Sequence, residues 1–466
     1  MIDLKLLRED PDRFLVGARA KNIDVDIHRL IQLDEQRRGL LSDQESARAE
    51  QKRISKDIGP EIGKLKGRLK AADDTERDDL QAQIRELEER PMRLKTEIQA
   101  FDKQIAAIEP EWRELWLKIP QPPDPDVPIG ADADDNVQLR TWNPPWFDPS
   151  RSFEDNKGFA PRSHVELIDM HGLVDFERAV KMAGTRHYVM RDAGMRLYQA
   201  VLRFAFDLIT NEFGFQPMSV PVIVREECMT RTGFFPSGRE QAYHIEESTR
   251  GSGHDLYLTG TGEVGLMGLH ADEILDADRL PLRYATLSTC FRREAGAAGK
   301  DTAGLYRIHQ FDKVEQIVIC RADEAESRRW HARMIEIVET LLQRLELPYR
   351  LLQCCTGDLG PKNADMIDIE CWMPGRGDID DDGRTAGAYG ETHSASRLYD
   401  FQCRRLNMRY RGDDGRTVFC HSLNNTVLAA PRILIPILEL YQQEDGTITV
   451  PAVLQPYMHG ITCIGH

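Results

Sequence analysis

From Leu80 to Leu115 apolar residues return at steps of four and three: Leu80, Ile84, Leu87, Pro91, Leu94, Ile98, Phe101, Ile105, Ile108, Trp112 and Leu115. Steps of four and three are the signature of a helix with one apolar seam. A weaker seam in the same phase precedes it at Leu30, Leu33, Leu40, Ala47, Ile54 and Ile58, with Arg37, Gln44 and Gln51 at intervening seam positions. Between the two lie Gly59-Pro60, Gly63, Gly67 and Asp73-Asp74-Thr75, which predict a break and a turn. Two long helices joined by a turn must cover each other's seams, so residues 27–118 predict an antiparallel helical hairpin. At ~1.5 Å per residue such an arm reaches roughly 45–60 Å. Pro91 falls on the seam itself and predicts a kink or an interruption of the second helix.

The texture changes after the arm. Residues 119–130 carry five prolines and predict a stiff, extended linker. Residues 131–466 then mix the two periods. Helical stretches are expected at 195–213, 262–277, 323–345 and 430–443, and strand-like runs at 217–224, 285–293, 306–320, 348–355, 366–373 and 417–424. Strands follow one another with only turns between them, which predicts an antiparallel sheet of the α+β kind and not a doubly wound fold. The chain is therefore divided into an N-terminal domain at 1–118, a linker at 119–130 and a larger domain at 131–466.

Composition narrows the function classes. The formal charge of −16 over 466 residues argues against non-specific coating of nucleic acid, and no DNA partner is expected. Against that background, the far end of the arm is basic: Arg48, Lys52, Arg53, Lys56, Lys64, Lys66, Arg68 and Lys70 face only Glu50, Asp57 and Glu61. Such a patch suits phosphates, although charge runs on helices also serve solvation alone. No apolar run is long enough to span a membrane, and residues 1–10 lack the pattern of a signal peptide. With nine cysteines and no CxxC pair, a reduced, cytoplasmic protein is expected.

Neither a phosphate-binding GxxxxGK[ST] loop nor an HExxH metal motif is present. One stretch stands out. Phe291-Arg292-Arg293-Glu294-Ala295-Gly296 ends an apolar run, a small-residue loop follows, and a return strand places His309, Phe311, Lys313 and Glu315 on one face. An aromatic ring, a lysine and a carboxylate on one face, beside an arginine, make a poor core. They make a good cradle for a planar, anionic ligand, because arginine grips phosphate with two donors and phenylalanine stacks on a base. Arg432 opens a helix, a position that asks for an anionic partner, either a ligand phosphate or a carboxylate. Glu391 and Ser394 lie in Glu-Thr-His-Ser and could attend magnesium beside such phosphates.

These strings, together with Phe215-Gln216-Pro217, Pro221, the run His421 to Arg432, Leu438-Glu439-Leu440-Tyr441-Gln442-Gln443 and the ending Val450-Pro451 to Tyr457-Met458, resemble the seryl-tRNA synthetases of the bacterial type over nearly the whole chain. That family belongs to class II of the aminoacyl-tRNA synthetases. The resemblance implies an antiparallel-sheet catalytic domain, an N-terminal coiled-coil arm that holds tRNA, ATP and magnesium as cofactors, L-serine as substrate, a serine tRNA with a long variable arm as partner, and a homodimer without a membrane partner. It implies roles by position. Arg292 grips the α-phosphate of ATP and the amino-acid carboxylate; Glu294 meets the adenine amino group and Phe311 stacks on the ring. Arg432 holds the γ-phosphate, and Glu391 and Ser394 attend phosphates and magnesium. Arg292, Glu391 and Arg432 are thus the catalytic set. Thr261 and Glu263 meet the substrate ammonium, Glu315 its hydroxyl, with Asn424 and Thr426 nearby.

Some positions depart from the family pattern. Its Thr-Ala-Glu is Thr261-Gly262-Glu263, its Asn-Gly-Ser-Gly is Asn424-Asn425-Thr426-Val427, a glycine is Pro431, and a Cys-Ser-Asn segment is Ala395-Ser396-Arg397. An acidic, glycine-rich insertion occupies 378–389. Val427 is expected to add volume near the substrate and Gly262 to remove some. Two further readings stay open on the sequence: a paralogue that activates serine or a serine-like amino acid for a biosynthetic pathway, and a non-catalytic paralogue that binds tRNA.

Overall fold

The computed structural model describes residues 1–250, 253–296, 304–377 and 385–465. The centre of the small-residue loop, 297–303, and the acidic part of the insertion, 378–384, lie outside the described residues. The chain packs as two units, one of Leu4–Pro11 with Asp24–Ile119, the other of Met1–Asp3, Asp12–Ile23 and Pro120–His466.

In the first unit two helices, α1 (Ile27–Leu69) and α2 (Asp74–Lys118), run antiparallel. Asp26 caps α1 by accepting from the Arg29 amide. The seams meet as anticipated: Ala47, Ile54 and Ile58 pack with Leu94 and Ile98, and Leu65 packs with Leu80 and Ile84. Arg29–Glu111 at 2.7 Å, Arg37–Glu109 at 2.8 Å and Arg90–Glu50 at 3.0 Å cross between the helices. Two expectations are corrected. Gly59, Pro60, Gly63 and Gly67 do not break α1, which runs through them, so the turn is confined to 70–73. Pro91 does not end α2 either, and Pro110 lies within the same helix. A proline inside a helix costs about 3 kcal/mol. Here Leu87 and Leu94, either side of Pro91, are drawn into the seam, and their burial along a 45-residue helix offsets that loss.

The second unit is organised by an eight-stranded sheet. Its strands are β1 (Val137–Trp142), β2 (Gln216–Met218), β3 (Leu282–Phe291), β4 (Gln310–Cys320), β5 (Tyr349–Gln353), β6 (Asp365–Met373), β7 (Ala388–Tyr399) and β8 (His421–Ala429). The spatial order is β1-β5-β6-β7-β8-β4-β3-β2. Every pair is antiparallel except β2 with β3. Helices α3 (Asp192–Asp207), α5 (Glu324–Arg344) and α6 (Ala430–Leu440) bury Val201, Ile335 and Ile437 against Val318, Ile369 and Leu423 of one sheet face. On the other face Leu282, Tyr284, Ile317 and Ile319 pack with Leu266 and Met267 in a second apolar cluster, and the neighbouring positions carry polar side chains.

The sequence misjudged this unit in several places, and β1 and the helices His164–His171 and Phe176–Ala183 were not anticipated. The helix expected over 262–277 is the short α4 (Glu263–Gly268), and Ile274–Asp276 form an edge strand. The 12-residue strand β7 was not anticipated at all, because polar and small residues at successive positions, on both faces, hide its period. The proline-rich stretch is pinned to the body. The Gln121 amide donates to Pro361 O at 2.8 Å, that of Asp124 to Ala364 O at 2.9 Å, and Pro128 O accepts from the Thr356 amide at 2.9 Å.

Candidate active site

The site is built on the polar sheet face by strand alternation. Phe311, Lys313 and Glu315 are two apart on β4; Thr286 stands opposite Glu315 and Ser288 opposite Lys313 on β3. On the other flank of β4, Thr426 of β8 is opposite Glu315. The Thr261-Gly262 turn and the start of α4 lie over these strands, where Gly262 approaches the side chains of Thr286, Ser288 and Glu315.

A closed polar network links these residues. Thr261 donates through Oγ1 to Glu315 Oε2 at 3.1 Å and accepts from Lys313 Nζ at 2.9 Å and from the Glu263 amide at 3.2 Å. Lys313 also pairs with Glu315. The buried Glu263 carboxylate, at a helix start, accepts from Lys362 Nζ at 2.5 Å, Gln402 Nε2 at 2.7 Å and Asn424 Nδ2 at 2.7 Å. Asn424 Nδ2 lies 3.5 Å from Glu315 Oε1, while Asn424 Oδ1 is buried with no partner. Two glutamates thus face two lysines, and the net charge of the cluster is zero. A zwitterionic ligand fits such a cluster, since its ammonium and carboxylate can replace one partner each.

The arginines mark a second region. Arg292, just past the end of β3, donates from Nε to Gly260 O at 3.3 Å, and its guanidinium lies 5.3 Å from the Phe311 ring centre. Arg432, in the first turn of α6, lies over the Tyr306 ring at 4.6 Å. It donates from Nε to Tyr306 O at 3.3 Å and reaches Glu391 Oε2 at 3.1 Å. The anionic partner that its helix-start position requires is therefore Glu391. Desolvation works to raise the Glu391 carboxyl, but the Arg432 and Arg292 charges outweigh it and hold the group below its usual range. Asp368, opposite Ser394 in the β6–β7 register, behaves oppositely: burial first and the Glu391 charge second push it well up, against the Ser394 hydrogen bond.

Arg292, Glu294, Phe311, Glu391, Thr426 and Arg432 line one narrow cavity. A wider one of about 490 Å³ shares Arg292 and Glu294 and continues between Gly260, Phe234 and Gln241. Every site residue proposed for the body therefore falls in the cavities, in the polar network, or, for Ser394, next in the chain to His393 of the narrow cavity. The basic residues Arg48, Lys52, Arg53, Lys56, Lys64, Lys66, Arg68 and Lys70 are all exposed in the other unit, with Arg48 paired to Asp102 and Lys66 to Glu88. Sequence reasoning gave no role to Lys313, although it placed it on the right face. It passed over Lys362, Gln402, Asp368 and Tyr306, whose partners come from distant elements. Asp368 could have been found by its two-residue step from Glu370, which stands opposite Glu391.

Residues 1–123 match the seryl-tRNA synthetase N-terminal domain and residues 243–441 the tRNA synthetase class II core domain (G, H, P, S and T). A serine–tRNA ligase of Deinococcus radiodurans is 40% identical over 466 residues, covering 100% of this chain and 99% of that protein. The chain belongs to the seryl-tRNA synthetase family. A serine–tRNA ligase of Streptomyces coelicolor is 40% identical over 99% of this chain and 98% of its own length. The crystal structure of seryl-tRNA synthetase from Pyrococcus horikoshii complexed with ATP matches with a TM-score of 0.79 at 35% identity, covering 100% of this chain and 99% of that one.

Within the family, the departures at 395–397 and 424–427 are settled by which face each residue takes. Val427, expected near the substrate, is instead fully buried in the helix-side core. Asn425 also faces that side and donates to Met334 O of α5 at 3.1 Å. Arg397 is buried between Asp124 and Asp365, so it serves to hold the proline-rich stretch to β6. Pro431 sits in the first turn of α6, where a missing N–H costs nothing. Gly262 has a direct packing reason: a Cβ there would lie 2.4 Å from Thr286 Cγ2.

Proposed function

We propose that this synthetase activates L-serine with ATP and passes the seryl group to the 3′ end of a serine tRNA. One observation carries the serine reading: Glu315 stands between Thr426 and Thr261, a hydroxyl-rich corner whose Thr426 lines the narrow cavity together with Arg292. A polar corner of this kind rejects analogues that lack the substrate hydroxyl, because its own groups would be left unpaired.

The serine carboxylate attacks the α-phosphorus of ATP in line, and pyrophosphate leaves. Little covalent work falls to the protein. Arg292, which lines both cavities, holds the carboxylate against the α-phosphate, and Arg432 takes the charge that builds on the leaving phosphates. Phe311 stacks on adenine and Glu294 accepts from its amino group. Glu391 and Ser394 would offer oxygen donors to magnesium. Magnesium held there would neutralise phosphate charge. A ribose hydroxyl of the tRNA then attacks the seryl carbonyl, with no side-chain nucleophile. The exposed basic residues of the arm offer counter-charges for the long variable arm of the tRNA. Work as a homodimer in the cytoplasm completes the reading.

Serine-dependent ATP–pyrophosphate exchange without tRNA, run against all twenty amino acids, tests it. Exchange with serine alone is expected, and Arg292→Ala should lower it by about 100-fold or more while leaving tRNA binding intact. Exchange with another amino acid instead would move the enzyme to a specialised pathway, and silence with all twenty would leave a tRNA-binding paralogue.

A further inference from the structure

Beside Glu315 the polar floor carries a hydroxyl that the chain itself leaves unused. Thr286 is fully buried, stands directly opposite Glu315, and its Oγ1 has no hydrogen-bond partner. Its methyl carbon takes the space that a side chain at position 262 would need. The glycine and the threonine are therefore fitted to one another. A buried hydroxyl without a partner destabilises a fold, and valine would fill the same volume without that loss. On the far side of Glu315, Asn424 Oδ1 is the second buried polar atom left unpaired. Two unmatched atoms flanking one carboxylate point to a ligand with matching groups on adjacent carbons.

We propose that Thr286 is a further specificity-determining residue, whose hydroxyl donates to the side-chain oxygen of the bound amino acid while that oxygen donates to Glu315. Asn424 Oδ1 then accepts from the ammonium. The inference rests on the serine-activating reading above. A β-hydroxy α-amino acid satisfies both orphaned atoms, whereas alanine leaves Thr286 unpaired and glycine does the same with less bulk. Thr286 thus helps the pocket reject amino acids that lack the hydroxyl.

The test is kcat/KM for serine and for alanine in ATP–pyrophosphate exchange by the full-length wild type, Thr286→Val and Thr286→Ser. Thr286→Val should lower the serine-to-alanine preference about tenfold or more, through the serine value alone. Thr286→Ser, which keeps the hydroxyl, should recover most of that preference. An unchanged preference in Thr286→Val overturns the proposal, and so does an equal loss on both amino acids, the mark of a packing role. Thr286→Ala, which leaves open space beside Gly262, should repeat the valine result if that variant folds poorly. A wild type that ignores serine overturns the functional reading as well, which separates the two failures.

Discussion

At the scale of single residues, side-chain direction outweighs proximity in sequence. Asn424 and Thr426 face the site while Asn425 and Val427, their immediate neighbours, face α5 and the core. Val427→Gly should therefore lower stability by about 2 kcal/mol or more, through the cavity left behind, without moving the amino-acid preference in pyrophosphate exchange. A urea titration and the exchange assay check the two halves separately. Arg397 makes a second case. Replacing it by methionine leaves buried Asp365 without its arginine and Asp124 with Arg328 alone at 3.5 Å, and a loss of about 3 kcal/mol is expected. The double variant Arg397→Met with Asp365→Asn should recover part of that loss in the same titration. Residue identity alone made Arg292, Phe311 and Glu315 legible, because their types are out of place in a core. Lys362 was not legible, since its partner Glu263 lies 99 positions away in the chain.

At the scale of elements, periodicity gave the arm, and individual breakers did not decide where it ended. α1 carries Pro60 and α2 carries Pro91 and Pro110 in their interiors, yet both helices are continuous. Pro91→Ala restores one backbone hydrogen bond and should slow amide exchange around Leu87 and Arg90 in the full-length protein, by the equivalent of about 1–3 kcal/mol. Hydrogen exchange resolved by mass spectrometry reads this directly. Deleting 30–115 should spare serine-dependent pyrophosphate exchange and abolish tRNA charging, because every body residue of the proposed pocket lies outside the arm; normal charging by the deletion would refute the arm's role. β7 shows the opposite difficulty. It is central, and it delivers Glu391 and Ser394, but small and polar residues on its covered face as well remove the alternation that marks a strand.

At the scale of the whole molecule, distant segments are held by buried charges that titrate. Lys21 is buried and donates to the carbonyls of Gly360 at 3.0 Å and Asn363 at 2.5 Å. Burial lowers its ammonium to about 7 from the ordinary 10.5, with Asp124 opposing. Between those values the unfolded chain binds more protons than the folded one, so the penalty of burying Lys21 is fully present below pH 7 and lifts as pH rises, at up to about 1.4 kcal/mol per pH unit. Urea midpoints of wild type and Lys21→Met, compared from pH 7 to 9.5, should converge as the wild type gains. The sequence by itself determined the helical arm, the α+β class of the body and the residue types proposed to bind phosphate and base, because heptad spacing, strand period and misplaced polar groups are local properties of the chain. Tertiary structure alone decided which departures from the family matter, since facing is set by the register of β3, β4, β7 and β8. It also decided that Glu391 answers Arg432, that Lys362 answers Glu263, and that Thr286 is left without a partner, since charge neutralisation and hydrogen-bond satisfaction depend on what folding brings within a few ångströms.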